Sequence, residues 1–265
     1  MMKRILLASA GAMALAGTSM AADLRPPPPV YLPPPPTWTG FYAGINAGYQ
    51  WNSDTSASVL AAPFGGIPAF VSVPVSQNAF IGGGQIGYNY QFANSWVVGL
   101  EADFDGLTTS HPEGSAATFG FGLTATQNLD YLGTVRGRIG YLLTPTLLIF
   151  GGGGLAYGDV STNFGVIQTT PLVGFAAGPG IFETKVGWTA GGGVEWQFMP
   201  NWSLKVEYLY YDLGSLTTVS PLLAGPVPVA YGVSQEKTTF TGNVVRAGLN
   251  YHFNWGWPAP VVAKY

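Results

Sequence analysis

From residue 38 to residue 253, apolar positions alternate with small or polar ones. Period-two alternation marks a strand with two unlike faces. Three tight connections interrupt it, at Ala93-Asn94-Ser95, Thr144-Pro145-Thr146 and Pro200-Asn201, each flanked by strand-like runs. Between them lie longer stretches, 53–77, 107–126, 160–182 and 215–236, which carry Ser, Thr, Pro and Gly and lose the clean alternation. The pattern predicts eight strands, over 39–52, 79–92, 95–106, 128–143, 146–159, 184–199, 201–214 and 238–253. An even strand count with short turns at one end and long loops at the other is the arrangement of an antiparallel transmembrane β-barrel, short turns periplasmic and long loops outside.

The two faces separate by parity. The first strand places Phe41, Ala43, Ile45, Ala47, Tyr49 and Trp51 opposite Tyr42, Asn46 and Gln50. The third sets Trp96, Val98, Leu100, Ala102 and Phe104 against Glu101, Asp103 and Asp105. Arg136 and Arg138 on the fourth strand, Lys205 and Glu207 on the seventh, Arg246 on the eighth and Glu195 on the sixth also take the non-apolar face. A soluble barrel would bury its apolar face. Here that face ends in aromatics beside the tight turns, Phe92 and Trp96, Phe198 and Trp202, Tyr251 and Phe253, as a membrane-interface girdle requires. The fifth strand, with Gly151 to Gly154, does not declare its faces, which keeps a soluble sandwich as the alternative.

Composition narrows the choice. Charged residues are 9% of the chain, against about 25% in soluble domains. Beyond the first 21 residues no apolar run approaches the roughly 20 residues a spanning helix needs. A closed barrel is the other structure able to cross a bilayer. The absence of cysteine excludes disulfides, thiolate metal sites and a thiol nucleophile. A net charge of −3 without a basic stripe gives no footprint for nucleic acid.

The ends are read separately. Residues 1–21 form a signal peptide: Lys3 and Arg4 precede a short apolar stretch, and Ser19 and Ala21 are the small residues before a cut. Residues 22–37 form a Pro-rich periplasmic segment, with eight prolines among the eleven residues 26–36. In polyproline II form those residues reach about 34 Å, as a spacer toward peptidoglycan or as a plain linker. The barrel occupies 38–254, followed by a tail, 255–265. Arg246-x-Gly248-x-x-Tyr251-x-Phe253 reads as a β-signal for the barrel-assembly machinery, combining a polar residue, a glycine and two aromatics on one face.

Several runs carry a resemblance. Trp38-Thr-Gly40-Phe41-Tyr42-Ala43-Gly44, after four prolines and Thr37, is one. Gly133-Thr-Val135-Arg136-Gly137-Arg138-Ile-Gly140-Tyr141 and Val245-Arg246-Ala-Gly248-Leu-Asn250-Tyr251 are others. Together they resemble the small alphaproteobacterial outer-membrane β-barrel, or porin-family, proteins. The resemblance spans signal, proline segment and barrel. It implies an eight-stranded, OmpA-like or opacity-type fold in the outer membrane; some relatives are described as haemin-binding or host-interacting, and no haemin-ligand motif matches here. Relatives usually end at the last strand's aromatic residue, whereas this chain continues to Tyr265.

Chemistry is sparse. His111 falls in an expected loop, with Glu113 as an H-x-E pair lacking further ligands, and His252 near the other end. No Ser/His/Asp set shares one strand face near one end, so no catalytic, cofactor or metal role is expected. The nine charged residues Glu101, Asp103, Asp105, Arg136, Arg138, Glu195, Lys205, Glu207 and Arg246 are expected inside the barrel, paired across the third–fourth and seventh–eighth seams. An eight-stranded lumen is just wide enough for side chains. The charges then form a plug, or else line a water-filled channel. Three roles follow: a structural envelope protein, a narrow passive pore, or an adhesin or haemin receptor acting through its loops. Expected partners are outer-membrane lipid and lipopolysaccharide, the assembly machinery, and peptidoglycan or a host surface.

Overall fold

The computed structural model describes residues 37–52, 56–63, 68–74, 77–93, 95–108, 113–118, 121–168, 174–177, 181–224 and 229–253. The signal peptide, nearly all of the proline segment, the 255–265 tail and His111 lie outside these residues. The strands are β1 (Gly40–Asn52), β2 (Ser56–Pro63), β3 (Ala69–Pro74), β4 (Asn78–Phe92), β5 (Trp96–Leu107) and β6 (Glu113–Thr118). They continue as β7 (Phe121–Thr144), β8 (Leu147–Gln168), β9 (Gly174–Ala177), β10 (Ile181–Met199), β11 (Trp202–Ala224) and β12 (Val229–Phe253).

Eight of these close a ring in the order β1-β4-β5-β7-β8-β10-β11-β12, every neighbour antiparallel. The last seam is β12 on β1, running from Phe41↔Phe253 to Asn52↔Gly242. They are the eight strands that parity predicts, and they agree closely at the short-turn end. At the other end β7, β8, β11 and β12 run on past the expected boundaries. The expected loops also contain strand: β2 pairs with β12, β3 with β2, β6 with β7, and β9 bridges β8 and β11. The result is a strand-built collar above the barrel.

Two β-bulges explain why a fixed-parity reading missed the collar. In β7 the register shifts between Leu129 and Leu132, and in β11 between Asp212 and Ser215. An extra residue turns every later side chain to the opposite face. Below the first bulge Leu132, Thr134 and Arg136 point inward; above it Leu129, Ala125 and Leu123 do. The second bulge uses Gly214 at φ +81°, in the left-handed region, with its N–H donated to Asp212 Oδ1 at 2.7 Å. The chemistry inverts as well. Around the barrel the outward face is apolar; around much of the collar the inward face is apolar, while Thr124, Asn163, Gln235 and Lys237 face out.

The outward apolar band is wide and bare: Ile45, Leu100 and Phe80 are each about two-thirds exposed. Aromatic pairs rim it at both ends. Trp96–Tyr141 and Trp202–Tyr251 stand at the turn end, with ring centroids 5.2 Å apart in each pair. Tyr49–Phe80, Phe104–Tyr131 and Trp188–Tyr210 stand at the collar end. From Trp202 to Tyr210 the strand runs about 27 Å, or about 20 Å of height at usual barrel tilt. That approaches the roughly 25 Å lipid-facing band of outer-membrane barrels. The glycines of β8 sit within this band between inward Phe150 and Ala156 and outward Ile149 and Leu155, so the fifth barrel strand has two faces after all.

Candidate functional site

All nine charged residues expected in the lumen meet there, and all are buried. Both expected seams form pairs. Arg136 and Glu101 are register partners joined by a short ion pair, and Arg246 Nε donates to Glu207 Oε1 at 2.9 Å across β11–β12.

Long side chains also cross the lumen between strands that are not neighbours. Arg136 on β7 reaches Glu207 on β11 at 2.9 Å and Asp103 at 3.1 Å. Arg138 reaches Glu195 on β10 at 2.9 Å and Glu101 at 3.3 Å. Lys205 faces Glu195 in register, yet its ammonium bonds Glu101 on β5 and Glu207, each at 2.8 Å. Arg246 on β12 bonds Asp103 on β5 at 2.8 Å, and Asp105 at very short range. Strand neighbourhood alone cannot foretell these transverse links; they follow from ring closure, which brings opposite walls within one side chain's reach.

Uncharged groups complete the belt. Tyr42 Oη donates to Glu101 at 2.5 Å, Thr134 Oγ1 to Asp103 at 2.6 Å, and Asn250 Nδ2 to Glu195 at 2.8 Å. Arg138 donates to Asn89 Oδ1 at 3.0 Å and lies between the rings of Tyr42 and Phe150, about 5 Å from each centroid. Tyr42 fits because β4 carries glycine opposite it: a Cβ at Gly87 would run into its hydroxyl. Each of these residues has the inward parity of its strand, so the signal was present without marking which ones touch.

Folding also assembles a Ser/His/Glu trio that no single strand face shows. Ser203 Oγ donates to Glu195 Oε1 at 2.6 Å and lies 2.8 Å from His252 Nε2, while Glu195 is 3.5 Å from the same ring nitrogen. In a nucleophilic triad the hydroxyl proton goes to the imidazole and the carboxylate holds the far ring nitrogen. Here the hydroxyl proton goes to the carboxylate, and both acid and hydroxyl sit on one nitrogen. The arrangement braces His252.

Apolar layers bound the belt. At the turn end Trp38, Val97, Leu142, Leu148 and Phe150 pack together. Trp38 donates Nε1–H to Pro145 O at 3.1 Å, its backbone N–H to Gln91 Oε1 at 3.0 Å, and sets its ring edge-on to His252. Above the belt, Leu132, Val160, Leu209, Leu213, Phe240 and Val244 belong to a second layer. Val59, Ala61, Leu123, Phe164, Val166 and Leu222 form a third in the collar. Of the β-signal residues, Arg246 and Gly248 point into the lumen, while Tyr251 and Phe253 face outward in the turn-end girdle.

Residues 6–254 match the family described as outer membrane protein beta-barrel domain. The chain belongs to that family. Like its family it is an outer-membrane protein. It is similar to the 31 kDa outer-membrane immunogenic protein of Brucella melitensis, 37% identical over 262 residues, covering 95% of this chain and all of the relative. It is also similar to the 25 kDa outer-membrane immunogenic protein of Brucella canis, 27% identical over 243 residues, 87% of this chain and 97% of that one. Among solved structures, OprG of Pseudomonas aeruginosa aligns at TM-score 0.48 and 15% identity, over 82% of this chain and 97% of OprG. Neisserial surface protein A aligns at 0.36 and 15% identity, over 81% and 98%. In this family member the short turns face the periplasm and the collar stands outside the cell.

Proposed function

We propose that the protein is a closed structural barrel of the envelope, and that its contribution to the cell is made by the collar it holds above the membrane rather than by passage through its lumen. The observation that carries this reading is the stacking of the lumen. A belt in which each of the nine charged residues has at least one ion pair lies between the Trp38 layer below and two apolar layers above. An ion would have to displace buried pairs, each costing about 3–5 kcal/mol to break, and then cross the apolar layers on either side of the belt. The role is non-catalytic, because the charged groups are engaged with one another and the serine of the lumen trio gives its proton to a carboxylate. The Brucella relatives are named immunogenic, which agrees with a surface-displayed collar here. Lipid and lipopolysaccharide are its surroundings, and the assembly machinery receives the Tyr251–Phe253 end.

Planar-bilayer recording of the refolded mature chain tests this. We expect no steady unitary conductance from the wild type and transient openings from Arg138→Glu. Steady wild-type conductance, with Arg138→Glu altering ion selectivity alone, would make the protein a narrow pore.

A further inference from the structure

One carboxylate is unlike every acid of the lumen belt. Glu236, in the collar half of β12, points inward and is 1% exposed. It accepts Ser234 Oγ at 2.6 Å and Ser220 Oγ at 3.4 Å. Among the described residues it has no ion-pair partner, whereas Glu101, Asp103, Asp105, Glu195 and Glu207 each have at least one.

Among the described residues its surroundings supply no counter-charge. Its register partners are Thr218 on β11 and Val59 on β2; the next inward residues there are Ser220 and Ala61. Lys237, next in the chain, faces outward. Across the collar, Leu123 and Ala125 of β7 and Phe164 and Val166 of β8 pack with Val59 and Ala61. The ion pair of Glu183 with Lys185, at 3.3 Å on β10, lies lower, opposite Val160 and Gly158. The side-chain oxygens of Thr218 and Thr238 are buried beside Glu236 without partners among the described residues. A buried carboxylate in such a place is costly when ionised and cheap when protonated.

We propose that Glu236 is a proton switch in the extracellular collar: protonated, it lets the outer halves of β11 and β12 pack with β2; ionised, it loosens them. Burial raises this carboxyl above its ordinary range, with the serine hydroxyls acting against the rise. The packed collar therefore holds the proton more tightly than the opened one. Its stability is greatest below the ordinary carboxyl range and is lost as pH rises through the raised value. The collar is an acid-tightened surface, and what it presents outside the cell changes with pH.

Amide-exchange protection factors, corrected for the intrinsic pH dependence of exchange, test this on the refolded mature chain in lipid. From about pH 5 to about pH 8, wild-type protection over 215–224 and 229–240 should fall, by at most about tenfold per pH unit for one titrating group. Any pH response over 244–252, which holds Arg246 and His252 of the belt, should be the same in Glu236→Gln as in the wild type. Glu236→Gln should remove the pH response and keep the collar protected, while Lys237→Gln should retain it. Ser234→Ala, which removes a hydroxyl donated to the carboxylate, should move the loosening to higher pH than in the wild type. A wild-type collar equally protected across the range, or a collar response that persists in Glu236→Gln, overturns the proposal. So does tightening by added sodium or calcium at fixed pH, which would make the counter-charge a metal cation.

Discussion

At the scale of single residues, the lumen belt shows how partner choice depends on closure. Arg138 lies on the inward face of β7, and the neighbouring strand offers Glu101 and Asp103. Its strongest contact is instead Glu195 on β10, at 2.9 Å, with Glu101 at 3.3 Å and no bond to Asp103. Arg138→Glu should therefore lower stability by about 3–5 kcal/mol, the range for stranding a buried charge. Adding Glu195→Arg should restore part of that loss, and adding Asp103→Arg should restore less. Urea midpoints of the refolded variants in lipid measure all three. The inward position of all nine charges, and pairing across the β5–β7 and β11–β12 seams, were legible in alternation and strand order; the transverse pairs were not, because they depend on which walls of a closed ring face each other.

At the scale of elements, the same strand is lipid-facing in one half and collar-forming in the other. Ala247 on β12 points outward beside Val206 of β11, within the aromatic-rimmed band. Thr217 on β11 points outward in the collar, opposite Lys237. Ala247→Arg should cost about 2–4 kcal/mol and Thr217→Arg about 0–1, the depth dependence expected of a lipid-facing barrel wall. Equal losses in unfolding midpoint would mean that the band does not end at the Trp188–Tyr210 girdle. The collar itself was hidden in the sequence by the bulges at Leu129/Leu132 and Asp212/Ser215. Each changes which parity points inward where the surroundings change from lipid to water, so two opposite patterns meet and neither looks regular.

At the scale of the whole molecule, ring closure leaves the barrel no unpaired edge, and the ring carries its own transverse bracing. Unfolding must break the β1–β12 seam and the belt together, so the barrel should open cooperatively and slowly. Refolded protein in detergent should run at one position on a gel when unheated and at another after boiling, with no species between. A graded series of mobilities would show that the ring opens piecewise.

What the amino-acid sequence determined by itself was the wall: eight strands, their lipid and lumen faces, the turn-end girdle and the inward set of charges. Those follow from local rules, since alternation has period two and aromatics settle where lipid meets water. What the tertiary structure decided was how separate strands are joined through their side chains: the Arg138–Glu195 and Lys205–Glu101 links across the lumen, the Ser203–His252–Glu195 trio on three neighbouring strands, Trp38 closing the floor, and the collar that buries Glu236. None of these partners is adjacent in sequence. A strand declares which face is polar, but only a ring of fixed circumference determines which polar groups lie within three ångströms or so of one another.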